Sequence, residues 1–150
     1  MANPPPSEAI LVKDVSKQFR QGGHSIQALK NVSLQAFTGE LLMIVGPSGC
    51  GKTTLLSVIA GTLFFDQGEI VLFDQPLHVL TDKQITRFRR KHIGFIFQQY
   101  HLIPTLNCLE NVMIPLLLNG ASPKEAEHRA AVALEKVGLK GREKDIPKKL

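Results

Sequence analysis

The octapeptide Gly46-Pro47-Ser48-Gly49-Cys50-Gly51-Lys52-Thr53 fits the phosphate-loop pattern G-x-x-x-x-G-K-[ST] without a mismatch. Its flanks narrow the fold further. Before it runs Leu41-Leu42-Met43-Ile44-Val45, apolar and without alternation, as a parallel strand covered on both faces requires. After it runs Thr54-Leu55-Leu56-Ser57-Val58-Ile59-Ala60, apolar at helical spacing and closed by Gly61, a helix stop. Strand, glycine-rich loop and helix in that order predict an α/β fold built around a phosphate site.

The chemistry follows from the order. Backbone N–H groups in a loop that glycines allow to bend tightly line a nest for phosphate oxygens, and the helix start adds free N–H groups and the positive end of its dipole. Lys52 is expected to reach the β- and γ-phosphates, and the Thr53 hydroxyl to ligate the Mg²⁺ that bridges them. Thr54 reads, from its position alone, as a packing residue of the first turn.

With 150 residues and 43% hydrophobic content, the chain is long enough for one real core. No apolar run approaches the ~18 residues of a membrane span; the stretch around Leu116-Leu117-Leu118 is cut by Pro115 and Asn119. Met1 to Glu8 has neither the basic nor the apolar region of a signal peptide, and residues 1–9 read as a disordered, Pro-rich tail. Two cysteines, one inside the phosphate loop, make no disulfide framework and point to a reducing setting. The five histidines show no zinc-ligand spacing. The net charge of +5 is concentrated in Arg87-Phe88-Arg89-Arg90-Lys91-His92. Nucleic acid is not the expected partner of this run, because no stacking aromatics interleave with the charges; a solvated helix face is the better reading.

Taken in order, Ala9–Asp14 and Ile26–Phe37 read as two antiparallel strands joined through Arg20-Gln21-Gly22-Gly23-His24-Ser25. Phe19 ends the first strand, where an aromatic is either core or a platform for a purine ring. Asp66–Glu69 reads as a turn and Ile70–Phe73 as a short strand ending in Asp74. That outline resembles a strand whose carboxylate holds Mg²⁺, but Gln75-Pro76 follows, and an ordinary turn is the preferred reading. Thr81-Asp82-Lys83-Gln84 opens a helix to about His92, and Ile93–Phe97 is a second unbroken apolar strand ending in Gln98-Gln99. Gln98 then lies at the strand end, the edge where open parallel sheets bind ligands. Asn107–Glu110 and Ser122–Glu125 cap two further helices, the first interrupted by Pro115 and the second burying Ala126, Ala130, Ala133, Leu134 and Val137.

From about Ile10 to Leu150 these segments resemble the ATP-binding subunit of ABC transporters. The resemblance implies a P-loop NTPase core with an N-terminal antiparallel β layer and the start of a helical subdomain from about residue 99. Residues Gly46 to Thr54 look like the family's Walker A loop, which adds Thr54 to the expected ATP-binding residues. Phe19 falls where the family carries its adenine-stacking aromatic, and Gln98 resembles the Q-loop glutamine that reaches Mg²⁺ and the attacking water. Residues Gln99 to Val112 are similar to the region that docks on the membrane subunit, and the wording is closest to the lipoprotein-releasing and macrolide-exporter group.

Family members continue from a stretch like Pro147-Lys148-Lys149-Leu150 into the signature motif, Walker B and the switch histidine, none of which is in this sequence. The domain spanning residues 10–150 is therefore expected to be incomplete at its C-terminus. The implied function is an ATPase that couples Mg-ATP binding and hydrolysis to transport, with a transmembrane subunit and a paired ATP-binding subunit as partners, peripheral on the cytoplasmic face of the cell membrane. Alone, the 150 residues are expected to bind ATP weakly and to turn it over barely. A self-contained phosphate-loop kinase using Asp74, and a DNA-repair ATPase contacting nucleic acid through Arg87–His92, are the alternatives.

Overall fold

The computed structural model describes residues 7–97 and 100–149. They form two compact units that meet in sequence between Gly94 and Phe95.

The first unit is built on an antiparallel sheet. Strands β1 (Glu8–Gln21) and β2 (His24–Phe37) form a long hairpin, followed by β3 (Gln67–Leu72) and the two-residue β4 (Gln75–Pro76). The strand order is β2-β1-β3-β4. The expected antiparallel pair is therefore present, but it is longer than the apolar pattern indicated, because Gly22 and Gly23, both at positive φ, close it in a tight turn. Strict alternation fails in β1. Val12 and Val15 are both buried, and the register shift between them, with Asp14 at φ 49°, returns the strand to the same face after three residues.

Helix α1 (Lys52–Ile59) packs Leu55 and Val58 into that face, where they join Val12, Val15, Leu29, Ile70, Leu72 and Leu77 in the core. Helix α2 (Asp82–His92) adds Ile85, and its start is fixed as expected: Gln84 Oε1 accepts from the Thr81 N–H at 2.9 Å.

The two apolar runs expected as buried parallel strands are a correction. Among the described residues neither Leu41–Val45 nor Ile93–Phe97 joins a strand ladder. Ile44 and Ile93 reach the core, but Leu41 is 91% exposed and Ile96 99% exposed. A parallel strand has all its ladder bonds with neighbours and none within itself, so apolar character alone does not make it a strand.

The second unit holds α3 (Cys108–Leu118) and α4 (Pro123–Lys136). Asn107 accepts from the Glu110 N–H at 2.9 Å while Glu110 accepts from the Asn107 N–H at 2.8 Å, a reciprocal cap. Helix α3 runs through Pro115 instead of breaking there. Ser122 caps α4, with Pro123 in its first turn. The buried face of α4 is Ala126, Ala130 and Leu134, at i, i+4 and i+8; Ala133 and Val137, expected with them, are exposed. Among the described residues no helix is long and apolar enough to cross a membrane.

Candidate functional site

The loop from Gly46 to Gly51 turns the chain from the extended run into α1, and its glycines are dictated by geometry. Gly51 has φ 98°, and a Cβ there would stand 2.4 Å from the Ala28 carbonyl oxygen and 3.3 Å from Leu29 Cδ2. A Cβ on Gly46 would meet Cys50 Sγ at 2.8 Å. Backbone therefore approaches backbone as closely as glycine permits, and the loop is pinned against β2.

The electrostatics match an anion. Among the described residues the N–H groups of Lys52, Thr53 and Thr54 have no protein acceptor, as helix geometry dictates for a first turn, and that turn contains no acidic residue. Lys52 Nζ folds back to donate to the carbonyls of Gly46 at 2.8 Å and Pro47 at 2.7 Å, and lies 3.6 Å from Cys50 Sγ. The ammonium is thus held across the loop by two neutral acceptors, with no carboxylate partner among the described residues. Pro47, Ser48, Gly49, Cys50 and Thr53 are exposed, while Thr54 is half-buried. These residues fit a polyphosphate: free donors, a cation held only by neutral carbonyls and a cradle that side chains would fill.

Phe19 is brought to the same end of the sheet. It pairs with Ile26 across the hairpin, two residues along β2 from Ala28, the contact of Gly51. At the usual rise per residue that is about 7 Å along the strand, within the span of one nucleotide. Phe19 is 40% exposed and outside the core, so the core reading of this ring does not hold. Lys17 Nζ lies 5.7 Å from its ring centroid.

Asp74 is not brought here. Phe73 and Asp74 both have positive φ and form the two-residue turn between β3 and β4, with the Phe73 N–H donating to Ala9 O at 2.9 Å. Ala9 and Gln18 stand at opposite ends of β1, roughly 25–30 Å apart at the usual rise. The kinase reading loses its magnesium carboxylate. In the basic run Arg87, Arg90, Lys91 and His92 are exposed, as on a solvated helix face, and the rest is held by packing. Arg89 Nη1 donates to Gly61 O at 2.8 Å, Phe88 packs against the core, and the Phe88 and His92 rings stack at 4.6 Å.

Gln98, the remaining expected site residue, lies outside the described residues. Among the described residues no group of three or more His, Cys, Asp or Glu could hold a metal ion; Thr53 is exposed in the first turn of α1. Sequence reasoning missed Asp66. Its carboxylate accepts from Lys17 Nζ at 2.8 Å and from the Gln18 N–H at 2.7 Å, immediately before Phe19. The expected turn Asp66–Glu69 is a correction, since β3 already begins at Gln67, and a carboxylate just before that strand, 48 residues from Gln18 along the chain, carries no local signal of that role.

Residues 29–150 match the family model described as ABC transporter. An uncharacterised ABC transporter ATP-binding protein of Escherichia coli K12, YbbA, is 42% identical over 146 residues, covering 97% of this chain and 64% of that protein. A lipoprotein-releasing system ATP-binding protein, LolD of Zymomonas mobilis, is 40% identical over 144 residues, covering 96% of this chain and 62% of the relative. The dimeric post-hydrolysis state of the ATP-binding cassette MJ0796, bound to ADP and Pi, has a TM-score of 0.86 at 37% identity, covering 94% of this chain and 62% of that one. This chain thus spans a little under two thirds of the length of these relatives. With the family model matched over most of the sequence and the phosphate loop set in the same α/β frame, the chain belongs to the ABC transporter family, in the fold of its ATP-binding cassettes.

Proposed function

We propose that this chain is the nucleotide-cradling part of an ABC transporter ATP-binding subunit, in which Mg-ATP binding and hydrolysis drive transport through a membrane partner. The observation that carries the reading is Lys52, an ammonium resting on two loop carbonyls beside a helix start whose donors are free. Lys52 exchanges Gly46 O and Pro47 O for β- and γ-phosphate oxygens, and the first-turn N–H groups of α1 take the remaining charge. The ring of Phe19 supports the adenine from the neighbouring strand end. Thr53 supplies a hydroxyl to the magnesium ion, which when bound offsets charge on the phosphates, and Gln98 is assigned to the same ion and to the attacking water on the strength of the family resemblance alone.

Relatives named as lipoprotein-releasing ATP-binding proteins support the export or lipoprotein-release subgroup. The dimeric state of the cassette MJ0796 supports pairing with a second ATP-binding subunit. A membrane partner then places the subunit peripherally on the cytoplasmic face. Among the described residues the loop supplies groups for binding, whereas in-line attack also needs a positioned water and further charge stabilisation, each worth orders of magnitude in rate. The test is phosphate release from Mg-ATP by this chain and by a product of its relatives' full length, with Lys52→Ala as the blank. Turnover in the longer product, near-background release here and no effect of Asp74→Asn are expected. Robust turnover here that Asp74→Asn abolishes would overturn the transporter reading.

A further inference from the structure

Among the described residues the last five of β1 have no strand neighbour on one side. Pairing of β1 with β3 ends at Ser16↔Gln67, whereas pairing with β2 continues to Gln21↔His24. Phe19 therefore sits on a strand end supported from β2 alone. Register shifts in both ladders fall just before it, between Lys13 and Ser16 toward β3 and on either side of Lys17 toward β2. Such a segment is free to twist unless its open N–H groups are held.

Asp66 holds them. Its own N–H donates to Ser16 O at 2.9 Å, its Oδ2 accepts from the Gln18 N–H at 2.7 Å, and its Oδ1 accepts from Lys17 Nζ at 2.8 Å. One residue thus supplies three bonds to three successive positions, taking the place of the strand that β3 does not extend. Ser16, buried, is locked to β2 through Asn31, donating to its Oδ1 at 2.9 Å and accepting from its N–H at 3.0 Å. The Lys17 ammonium, fixed by Asp66, lies 5.7 Å from the Phe19 ring centroid, so the same carboxylate sets the backbone before the ring and the cation against it.

We propose that Asp66 is a positioning residue for the purine platform: by clamping Lys17 and the Gln18 N–H it fixes the Phe19 ring for the base, without itself touching the nucleotide. This rests on the reading of Phe19 as the adenine support. A residue acting only through that ring changes recognition of the base and leaves recognition of the phosphates alone, because the phosphate loop is anchored separately by the approach of Gly51 to Ala28.

The experiment compares Mg-ATP with inorganic tripolyphosphate, which offers the phosphates without the base, by calorimetry on the chain and on its Asp66→Ala, Asp66→Asn, Phe19→Ala and Asp66→Ala/Phe19→Ala variants. Phe19→Ala should weaken ATP on the order of 10-fold, the effect of losing one base stack, and leave tripolyphosphate unchanged. Asp66→Ala should weaken ATP roughly 3- to 10-fold with tripolyphosphate unchanged, Asp66→Asn should lose less because it keeps an acceptor, and the double variant should bind ATP no more weakly than Phe19→Ala. Retained tripolyphosphate binding also shows that each variant is folded. Loss of both ligands together in Asp66→Ala, or an additive loss in the double variant, overturns the proposal by making Asp66 a general structural residue or one acting elsewhere. If ATP binds no better than tripolyphosphate in the unaltered chain, or Phe19→Ala changes nothing, the platform reading itself fails and the proposal falls with it.

Discussion

Gly51→Ala separates the close approach of loop to sheet from the general curvature of the loop. At φ 98° an alanine carries about 1–2 kcal/mol of left-handed strain. Its methyl would also stand 2.4 Å from Ala28 O, a backbone atom that moves only if β2 or the loop moves, at a further cost of about 1–3 kcal/mol. The lower entropy of an unfolded chain with alanine returns about 0.4–1 kcal/mol. The net loss is about 1–4.6 kcal/mol, a substantial part of the 5–15 kcal/mol typical of a domain. With a urea slope of about 2 kcal/mol/M the midpoint should fall by about 0.5–2.3 M. The control is Gly49→Ala, at φ 80° with nothing within 4 Å of the added carbon, which carries the strain without the clash and should shift the midpoint by less than about 0.8 M. Urea denaturation followed by circular dichroism reads both. Equal shifts in the two variants, or none at Gly51, would refute the pinning of the phosphate loop on β2.

Other outcomes follow from particular contacts. Cys50 is exposed in the loop while Cys108 is buried with its Sγ donating to Asp145 O at 3.0 Å, so a maleimide should label Cys50 far faster, and Mg-ATP should block that labelling alone. Mass spectrometry that finds equal rates with and without nucleotide would sink this. Asp66 is held below the ordinary carboxylate value, first by the Lys17 side chain and then by the Gln18 N–H. A depressed folded value stabilises the fold above the unfolded carboxyl's value of about 4 and loses that contribution as pH falls through the folded one. The stability gap between the chain and Asp66→Asn should therefore narrow below about pH 4, by a small amount because the carboxylate is 45% exposed; a gap independent of pH counts against the clamp. Asn111 Oδ1 accepts from the Ile103 N–H at 2.8 Å and its Nδ2 donates to the carbonyls of Ile103, Leu106 and Asn107 at 3.1, 3.0 and 3.0 Å. Asn111→Ala should cost about 1–3 kcal/mol and strip the Ile103 amide of hydrogen-exchange protection, and an unchanged exchange rate would show the contacts to be idle.

The parts legible in the sequence are those whose constraints are local. The phosphate loop is set by backbone curvature and by side chains at fixed spacing, so Gly46 to Thr53 announce themselves. The caps at Thr81, Asn107 and Ser122 are legible for the same reason, each bond spanning three residues. Pairing is not local. The runs Leu41–Val45 and Ile93–Phe97 declare their need for burial but not their partners, and among the described residues no strand pairs with them. The face of α4 was drawn too wide because alanine marks a helix as readily as it marks a core, and Ala133 lies on the exposed side. One aromatic at a strand end fits either core or platform, so Phe19 is ambiguous in sequence; the register of β1, which carries it beyond the last β3 pair, leaves it exposed and outside the core. Asp66 was legible only as a turn residue, since its role depends on which strand end folds against that turn.

The central claim is that the free donors at the start of α1, with Lys52 beside them, form a site for a nucleotide's phosphates. Calorimetric titration of Mg-ATP into the chain and into Lys52→Ala tests it most directly. Lys52 is half-buried and, among the described residues, bonded only within the loop, so the variant should keep its circular dichroism spectrum while its affinity for Mg-ATP falls by at least 10-fold, about 1.4 kcal/mol. A folded Lys52→Ala variant that binds Mg-ATP as tightly as the unaltered chain would contradict the account.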